Sequence, residues 1–410
     1  MPRTLLFLVY FISLPLVLNG QGDVLLDDDE WLDALLDGDA DDLGLDADRA
    51  ASRDLDTEDR FLIGGMRLWE MDASLAGGVG WKENVLLSEE GGVDSFYSSV
   101  EGDLFGFGTE GNGWPELVAL LYGEYKYCDD VPGIDAETLA LLQTSATSSL
   151  SERWKVAARF DGIYTEQAFD ASVNDFETDA ALMRTWRPEL GVSLMRESSR
   201  GDELRIDLLR GYSRYGQESE DYDDYTGSVA YLAEVGRNGE MHVSLTGYRE
   251  DYEERLERLS VGSLVDAPLL EVTGLFGMGE WRYAFSDGFL KRTVTRASFE
   301  SEDDALGDYY ERERWQLRQS VDLAYLGWDV RLSVSYEEVD YAERLVSILS
   351  EETRSDEAWR WDVEGVRRLK SGLEFFFRYQ GADKQSNGTG FSYQTSGAMF
   401  GFRINSAGDA

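Results

Sequence analysis

Apolar and polar side chains alternate along this chain from about Ala73 to Ile404, in stretches of roughly ten to sixteen residues. Between Trp154 and Tyr164, the even positions carry Trp, Val, Ala, Phe, Gly and Tyr, whereas Lys, Arg and Asp occupy odd positions. Since successive side chains of a β-strand point to opposite faces, such a segment has one apolar and one charged face. A transmembrane barrel needs strands of about 9–11 residues with this pattern in nearly every one. The pattern therefore predicts an all-β fold, a transmembrane antiparallel up-and-down β-barrel.

The alternating stretches and the turn residues between them predict about sixteen strands. Their predicted ranges are 73–87, 94–107, 116–127, 138–150, 153–167, 185–197, 203–215, 225–237, 240–251, 269–285, 289–302, 309–326, 328–341, 356–369, 373–383 and 389–404. Connections after even-numbered strands are short, as at Asn238-Gly239, a strong hairpin signal. Connections after odd-numbered strands are longer, notably 168–184, 252–268 and 342–355.

Short turns opposite longer loops are the pattern of bacterial outer-membrane barrels, whose short turns are periplasmic. An even number of strands then places both termini on the periplasmic side. Residues 61–72 could form another strand, a periplasmic segment or a piece inside the lumen. Barrels of fourteen or eighteen strands therefore remain as alternatives.

The amino-terminal part of the chain is divided from the barrel by composition. Residues 1–22 carry one early positive charge, an apolar run over 5–18 and a small-x-small sequence, Gly20-Gln21-Gly22, which together predict a signal peptide. Residues 23–60 hold sixteen Asp and Glu against three Arg and show no strand pattern. They predict an acidic, mostly disordered periplasmic leader with one short amphipathic helix near Trp31 to Leu36. The barrel is assigned to 61–410.

Charge and cysteine content exclude several classes of protein. The 410-residue chain has 81 Asp and Glu against 38 Lys and Arg, a formal net charge of −43. Nucleic-acid binding requires the opposite sign, so no nucleic-acid partner is expected. The single cysteine, Cys128, cannot form an internal disulfide or a Cys-based metal site. No cofactor and no metal are expected, because the sequence shows no phosphate loop or nucleotide fingerprint either.

The charged face of the strands is predicted to point into the barrel. Sixteen strands enclose more space than side chains fill, which favours an aqueous channel whose water would solvate these charges. Apolar and aromatic residues then form the lipid face, with Trp and Tyr at the membrane interfaces. The candidate pore-lining residues are Arg159, Asp161, Arg205, Asp207, Arg318, Asp322, Arg331, Arg360, Asp362 and Arg378. A lumen crossed and obstructed by salt bridges is the alternative.

In these features the region 73–404 resembles Gram-negative outer-membrane β-barrels of porin-like size. The resemblance is one of architecture, and the chain departs from it where Asn405 to Ala410 follow the last alternating aromatics, Phe400 and Phe402. In such porins the third extracellular loop commonly folds into the channel and carries acidic residues. The resemblance therefore implies an acidic outer mouth at the third long connection, formed by Asp170, Asp175, Glu177 and Asp179.

An enzymatic alternative depends on the sequence His242-Val243-Ser244-Leu245. Outer-membrane lipid hydrolases resemble it in a strand motif His-x-Ser, in which histidine is the base and serine the nucleophile. In those enzymes Asn usually follows the serine and the pair lies on the lipid side. Here Leu245 follows, and the alternation points His242 and Ser244 into the lumen. A lipid hydrolase is therefore kept only as a remote alternative, and we expect no enzyme.

Together these features predict a porin-like channel in the cell outer membrane. Fixed negative charge near a narrow aqueous path raises the local cation concentration, so passive diffusion of small cationic or neutral solutes is expected. A non-conducting barrel for surface anchoring or assembly is the alternative function. Expected partners are outer-membrane lipid and the barrel-assembly machinery, and self-association into a homo-oligomer is left open.

Overall fold

Sixteen long strands of the computed structural model close into one barrel. The structure describes residues 62–63, 66–67, 70–87, 92–108, 114–129, 131–132, 134–169, 181–216, 220–256, 268–286, 288–305, 309–346, 350–369 and 372–406. The predicted signal peptide, the acidic leader and the four residues Asp170, Asp175, Glu177 and Asp179 lie outside this part of the chain. Among the described residues, no helix has the length and apolarity that are needed to cross a membrane.

The strands follow one another in chain order around the barrel. Two strands of two residues each, β1 (Leu62–Ile63) and β2 (Met66–Arg67), pair with each other in a separate sheet that is not part of the barrel ladder. The barrel strands are β3 (Glu70–Glu83), β4 (Ser95–Gly108), β5 (Glu116–Cys128), β6 (Ala136–Ser149), β7 (Trp154–Phe169), β8 (Ala181–Glu197), β9 (Glu203–Tyr215), β10 (Tyr222–Val235), β11 (Gly239–Leu256), β12 (Leu269–Ala284), β13 (Leu290–Asp304), β14 (Arg312–Tyr325), β15 (Trp328–Leu345), β16 (Thr353–Arg368), β17 (Leu373–Ser386) and β18 (Tyr393–Asn405).

Every barrel strand pairs antiparallel with its neighbours, and β18 closes the barrel against β3. The predicted antiparallel barrel of sixteen strands is therefore confirmed. The alternatives of fourteen and eighteen strands are wrong, because the closed barrel consists of β3 to β18, and β1 and β2 pair with each other and with no barrel strand among the described residues.

The two ends of the barrel have different connections, as predicted. At the long-loop rim, strands are joined by residues 84–94, 129–135, 170–180, 216–221, 257–268, 305–311, 346–352 and 387–392. At the short-turn rim, the connections are 109–115, 150–153, 198–202, 236–238, 285–289, 326–327 and 369–372. Glu70 and Asn405 both lie at the short-turn rim, so the two ends of the barrel share one side. That this side is periplasmic stays a prediction.

Two tight turns show how glycine sets the strand register. Leu326 and Gly327 join β14 to β15 with φ of 53° and 78°. Positive φ at both central residues matches the twist of the flanking strands in a two-residue hairpin. The turn predicted at Asn238-Gly239 is displaced instead: Gly236, with φ of 75°, begins it, and Gly239 already belongs to β11. Asn238 contributes by donating a side-chain hydrogen bond of 2.9 Å to the carbonyl of Ala284.

The outer face of the barrel is an apolar band between two aromatic belts. Large apolar side chains on alternate positions are exposed, among them Leu190 (65%), Leu245 (53%) and Phe400 (52%). Near the short-turn rim the rings of Trp328 and Phe375 lie 6.0 Å apart. Toward the long-loop rim an upper belt contains the ring pairs Phe299–Trp315 and Tyr336–Trp359, at 4.4 and 5.0 Å. A continuous apolar exterior of this extent requires lipid around it.

Candidate functional site

The inward face of the strands, which we call the lumenal face, carries the charged residues. On β7 the outward residues are mostly apolar, whereas Arg159 and Asp161 point inward and are 6% and 2% exposed. The same alternation places Arg205 and Asp207 inward on β9. The interior of the barrel is thus lined by ions that are paired with one another.

The predicted pore-lining residues all have this lumenal orientation, but the structure divides them into three groups by strand. The first group, on β7 and β9, is Arg159, Asp161, Arg205 and Asp207; the second, on β14 and β15, is Arg318, Asp322 and Arg331; the third, on β16 and β17, is Arg360, Asp362 and Arg378. The first group and Arg360 are buried, and the other five residues are half-buried. They do not converge on one site, and their role in lining a pore stays a prediction.

The first group is a compact cluster of ion pairs. Arg159 binds Asp161, and Arg205 Nε lies 2.7 Å from Asp207 Oδ1. Ser193 joins the strands, because it donates to Asp207 at 2.5 Å and accepts from Arg205 at 2.8 Å. Each arginine lies beside an acid two positions along its own strand, so the repeated Arg-x-Asp sequence produces the pairing.

In the second group, near the short-turn rim, the carboxylate of Asp322 binds two arginines. Asp322 accepts hydrogen bonds from Arg292 and Arg331 at 2.8 and 2.9 Å, from the strands on either side of its own. Arg318 instead donates to Ser333 Oγ at 3.0 Å. Cross-strand register brings these partners together, since Asp322 is directly opposite both arginines.

Between these groups and the long-loop rim lie further ion pairs, in which Arg360 is the only residue from the predicted pore-lining set among the pairs described next. Arg312 Nε lies 2.6 Å from Glu302 Oε2, and both side chains are only 2% exposed. Glu337 is held between Arg314 at 2.8 Å and Arg360 at 3.3 Å. Arg187 on β8 reaches Asp224 on β10 at 2.6 Å, across one intervening strand. Strand alternation identifies these positions as inward, but no sequence signal predicts which inward charges meet.

The third group borders a lumenal recess between the long-loop rim and mid-height of the barrel. The recess is lined by Lys82, Val85, Ser95, Tyr97, Lys126, Cys128, Glu137, Arg360, Arg378, Gln380, Gly381, Ala382, Thr395, Ser396, Gly397 and Met399. Of these, Arg360 and Arg378 are among the predicted pore-lining residues. Lys82 and Lys126 are not, although their strand positions place them on the lumenal face.

His242 and Ser244 lie on the lumenal face of β11, as the alternation predicts. They are 8% and 3% exposed, whereas the intervening Val243 is 45% exposed on the outer face. Ser244 Oγ has no hydrogen-bond partner in the described part of the chain. His242 therefore does not hold the serine hydroxyl as a base holds its nucleophile.

No metal site appears in the part of the chain that the structure describes. Within it, no group of three or more His, Cys, Asp or Glu side chains is arranged to hold an ion.

No protein-family model and no curated protein matches the sequence. Solved structures resemble the chain in shape: OccAB1 of Acinetobacter baumannii has a TM-score of 0.48 at 9% identity, over 82% of this chain and 97% of that one. OccK2 (OpdF) of Pseudomonas aeruginosa in complex with glucuronate has a TM-score of 0.46 at 13% identity, over 82% and 97%. The outer membrane protein OpdK of the same organism has a TM-score of 0.45 at 10% identity, over 82% and 99%.

The class of this protein follows from its own geometry. A closed antiparallel barrel of sixteen strands, with an apolar band outside, two aromatic belts and a polar interior, is the architecture of an outer-membrane β-barrel of porin-like size. The chain is therefore located in the cell outer membrane.

Proposed function

We propose that the barrel is a porin-like channel for passive diffusion of small solutes and that it favours cationic or neutral solutes over anions. The observation that supports the channel is the lumenal face of the sixteen-stranded barrel, which is mostly polar and charged. Burying so many ions without water would cost several kcal/mol each, so a hydrated interior is the less costly arrangement. Barrels of this size leave room for an aqueous path.

The proposed preference for cations rests on the long-loop rim. Glu253, Glu254, Glu351 and Glu352 are exposed there. The four acidic residues predicted for the outer mouth lie outside the described residues, in the connection between the end of β7 and the start of β8. Fixed negative charge at the entrance of an aqueous path attracts cations and repels anions. Because the Debye length is about 8 Å at physiological salt, the preference should weaken as salt rises.

A reversal potential measures this preference directly. The refolded protein is reconstituted into planar bilayers under a KCl gradient, first at low and then at high ionic strength. We expect potassium to permeate better than chloride at low salt, with a smaller difference at high salt. The double change Asp175→Asn with Glu177→Gln should reduce the preference.

The matched control is Asp303→Asn with Glu313→Gln, which removes the same charge from the outer face at the same rim. Because these side chains point away from the lumen, the control should change the reversal potential less. A preference for chloride at low salt in the unaltered protein would contradict the proposal.

The burial of the lumenal ion pairs favours a second candidate, a non-conducting barrel for surface anchoring or assembly. Asp207 and Glu302 are almost completely buried, as expected where charged side chains obstruct the interior. The same bilayer experiment separates the candidates. Protein that shows the heat-dependent gel mobility of a folded barrel, and yet gives no conductance at any voltage, would support the second.

A further inference from the structure

We infer that Tyr309 and Tyr310, which lie shortly before β14, form a constriction inside the long-loop rim and limit the size of the solutes that enter the barrel. This inference rests on the proposed channel function and deepens it, because it names the side chains that set the width of the entrance. The porin resemblance implies another place for an inward-folded segment, the third long connection at 168–184.

The first support is that two side chains of a rim connection are buried inside the barrel. Tyr309 and Tyr310 are 8% and 5% exposed, although they lie outside the barrel strands. They pack in one cluster with four buried side chains of the wall, which are Tyr222, Tyr252, Leu270 and Val272. We call these six residues the aromatic cap. Side chains that fill the lumen at this height leave less width for water and solutes.

The wall residues of the aromatic cap lie on the lumenal face. Tyr222 and Tyr252 are directly opposite each other on β10 and β11, and their ring centres are 5.1 Å apart. Tyr225 has the opposite parity on β10 and is 41% exposed on the outer face. Because side chains alternate along a strand, Tyr222 points into the barrel. The aromatic cap therefore belongs to the interior and not to the lipid-facing surface.

The second support is the distance along the wall that the contacts of Tyr310 cover. Its hydroxyl accepts a hydrogen bond of 3.3 Å from Nε of Arg255 on β11, and Arg255 also binds Glu220 at 2.7 Å. The strands β12 and β13 lie between β11 and β14. At about 4.8 Å per strand, three steps correspond to roughly 14 Å along the wall. Side chains that meet over this distance cover the lumenal surface between them, where Leu270 and Val272 lie on β12.

The third support is that arginines hold the two tyrosines from opposite sides. The guanidinium carbon of Arg255 lies 4.8 Å from the ring centre of Tyr310 and 5.7 Å from that of Tyr252. Arg344 on β15 lies 5.1 Å from the ring centre of Tyr309. A guanidinium within about 6 Å of an aromatic ring is attracted to its face. The tyrosines are thus fixed between β11 and β15.

The alternation of arginine and aromatic ring continues along the rim. Arg344 lies 4.7 Å from the ring centre of Tyr341, and Arg354 lies 5.1 Å from the same ring and 3.7 Å from that of Phe391. The contacts therefore extend from β11 to the connection after β17, over seven of the sixteen barrel strands. A cap that is fixed along such an arc keeps its position while solutes pass, as a size limit requires.

Liposome swelling with neutral sugars measures the size limit, because uncharged solutes report the width of the path without the charge of the rim. The full chain is refolded into vesicles. We expect Tyr309→Ala with Tyr310→Ala to raise the uptake rate of the trisaccharide raffinose, relative to that of the pentose arabinose, severalfold. The single-channel conductance of this double variant in planar bilayers should also rise, since pore diameter governs passage.

The matched control is Tyr212→Ala with Tyr225→Ala, which removes two tyrosines at the same rim from the outer face, where each is 41% exposed. The ratio of the two uptake rates should stay that of the unaltered protein. Heat-dependent gel mobility verifies that both double variants fold. Equal ratios in all three conducting proteins, or an equal rise in the control, would overturn the inference and leave the channel proposal intact.

Limited cleavage by chymotrypsin tests the position of the aromatic cap without relying on transport. The enzyme cuts after aromatic residues that are accessible in exposed chain. Tyr309 and Tyr310 should resist it in the folded, unaltered protein in detergent. Arg255→Gln with Arg344→Gln should release them, and mass spectrometry should then find fragments that end at these tyrosines.

The control for cleavage is Arg210→Gln with Arg214→Gln. These outer-face arginines also stack on tyrosines, at 5.2 Å from the ring centres of Tyr225 and Tyr212, so the same kind of contact is lost outside the lumen. This variant should stay uncut after Tyr309 and Tyr310. Cleavage there in the folded, unaltered protein, or its absence when Arg255 and Arg344 are replaced, would contradict the inference.

The two proposals can fail separately. Conductance that is unchanged by the loss of Tyr309 and Tyr310 leaves the channel and removes the constriction. If the unaltered barrel is silent and the double variant conducts, the aromatic cap closes the barrel, and the proposal of passive diffusion through the unaltered protein fails instead. If neither protein conducts, both proposals are wrong.

Discussion

The charged side chains on the two faces of this barrel are of the same types, but their surroundings are opposite. On the lumenal face acids and arginines are buried and paired, as in Arg312–Glu302, where both side chains are 2% exposed. On the outer face beyond the upper aromatic belt, the charged residues of β13–β16 in the described part of the chain include five acids, Asp303, Glu313, Glu338, Asp340 and Glu357. None of these five, which we call the acidic strip, forms an ion pair among the described residues.

The difference teaches that the net charge of the chain does not describe its interior. A buried charge persists only with a partner, because taking it out of water costs several kcal/mol. An exposed charge needs no partner, so acids can accumulate at the rim. On the neighbouring outer face of β9–β12 the charged side chains are exposed, as in the acidic strip, but some are paired, as in the lumen. Arg249 pairs there with Asp251 and Glu271 at 2.7 and 2.9 Å.

The largest loss of stability should come from removing one member of a buried lumenal ion pair. Arg312→Met leaves Glu302 buried without its cation, and we expect the free energy of unfolding to fall by about 3–5 kcal/mol. Urea unfolding of the barrel in lipid vesicles measures it. The control is Glu313→Gln, the next residue along β14, which is exposed on the outer face and should change stability by less than about 0.5 kcal/mol.

The double variant Arg312→Met with Glu302→Leu sharpens this test. Replacing both members of a buried pair by apolar residues is often neutral. It should therefore recover much of the stability that the single change loses. A similar loss for Arg312→Met and Glu313→Gln would show that burial does not distinguish the two faces.

A smaller effect is expected where the lumenal face is apolar, at the seam between β18 and β3. Phe376 is fully buried there against Ala76 and Met399. A Cβ atom on Gly401 would meet the Gly77 carbonyl and lie 2.7 Å from the Phe376 ring. Gly401→Ala should thus destabilise the barrel by about 1–3 kcal/mol through overpacking.

Gly279→Ala is the control for this change, because a Cβ atom at Gly279 on β12 would have nothing within 4 Å. Unfolding in urea should show little difference between this variant and the unaltered protein. If Gly401→Ala were equally harmless, the seam would be looser than its contacts indicate.

The sequence predicts the barrel well and the sites poorly, for physical reasons. Each of the sixteen strands was found, because alternation is a local property and lipid imposes it on nearly every strand. Several strands extend further than predicted at the long-loop rim, as β11 does to Leu256. Beyond the aromatic belt both faces meet water, so Glu253 and Glu254 show no alternation of polarity.

The recess could not be predicted, because its lining comes from β3–β6 and β16–β18, which meet only when the barrel closes. Alternation places Lys82, Lys126, Arg360 and Arg378 on the lumenal face, but it does not fix their height along the barrel. The register between neighbouring strands determines that height, and the turns that join the strands determine the register. The predicted turn at Asn238-Gly239 differs from the observed one, which begins at Gly236.

The smallest effect concerns the acidic strip, where Glu338 and Glu357 lie directly opposite each other on β15 and β16. Like charges in this position are destabilising, and cross-strand pairs contribute roughly 0.2–1 kcal/mol. Glu338→Gln should therefore raise the free energy of unfolding by an amount in that range at low salt, and the gain should shrink as salt screens the repulsion. Glu271→Gln is the control, because it removes an acid that is paired with Arg249, and it should give no gain. A gain that persists unchanged at high salt would show that packing, and not charge repulsion, causes the different stability effects of Glu338→Gln and Glu271→Gln.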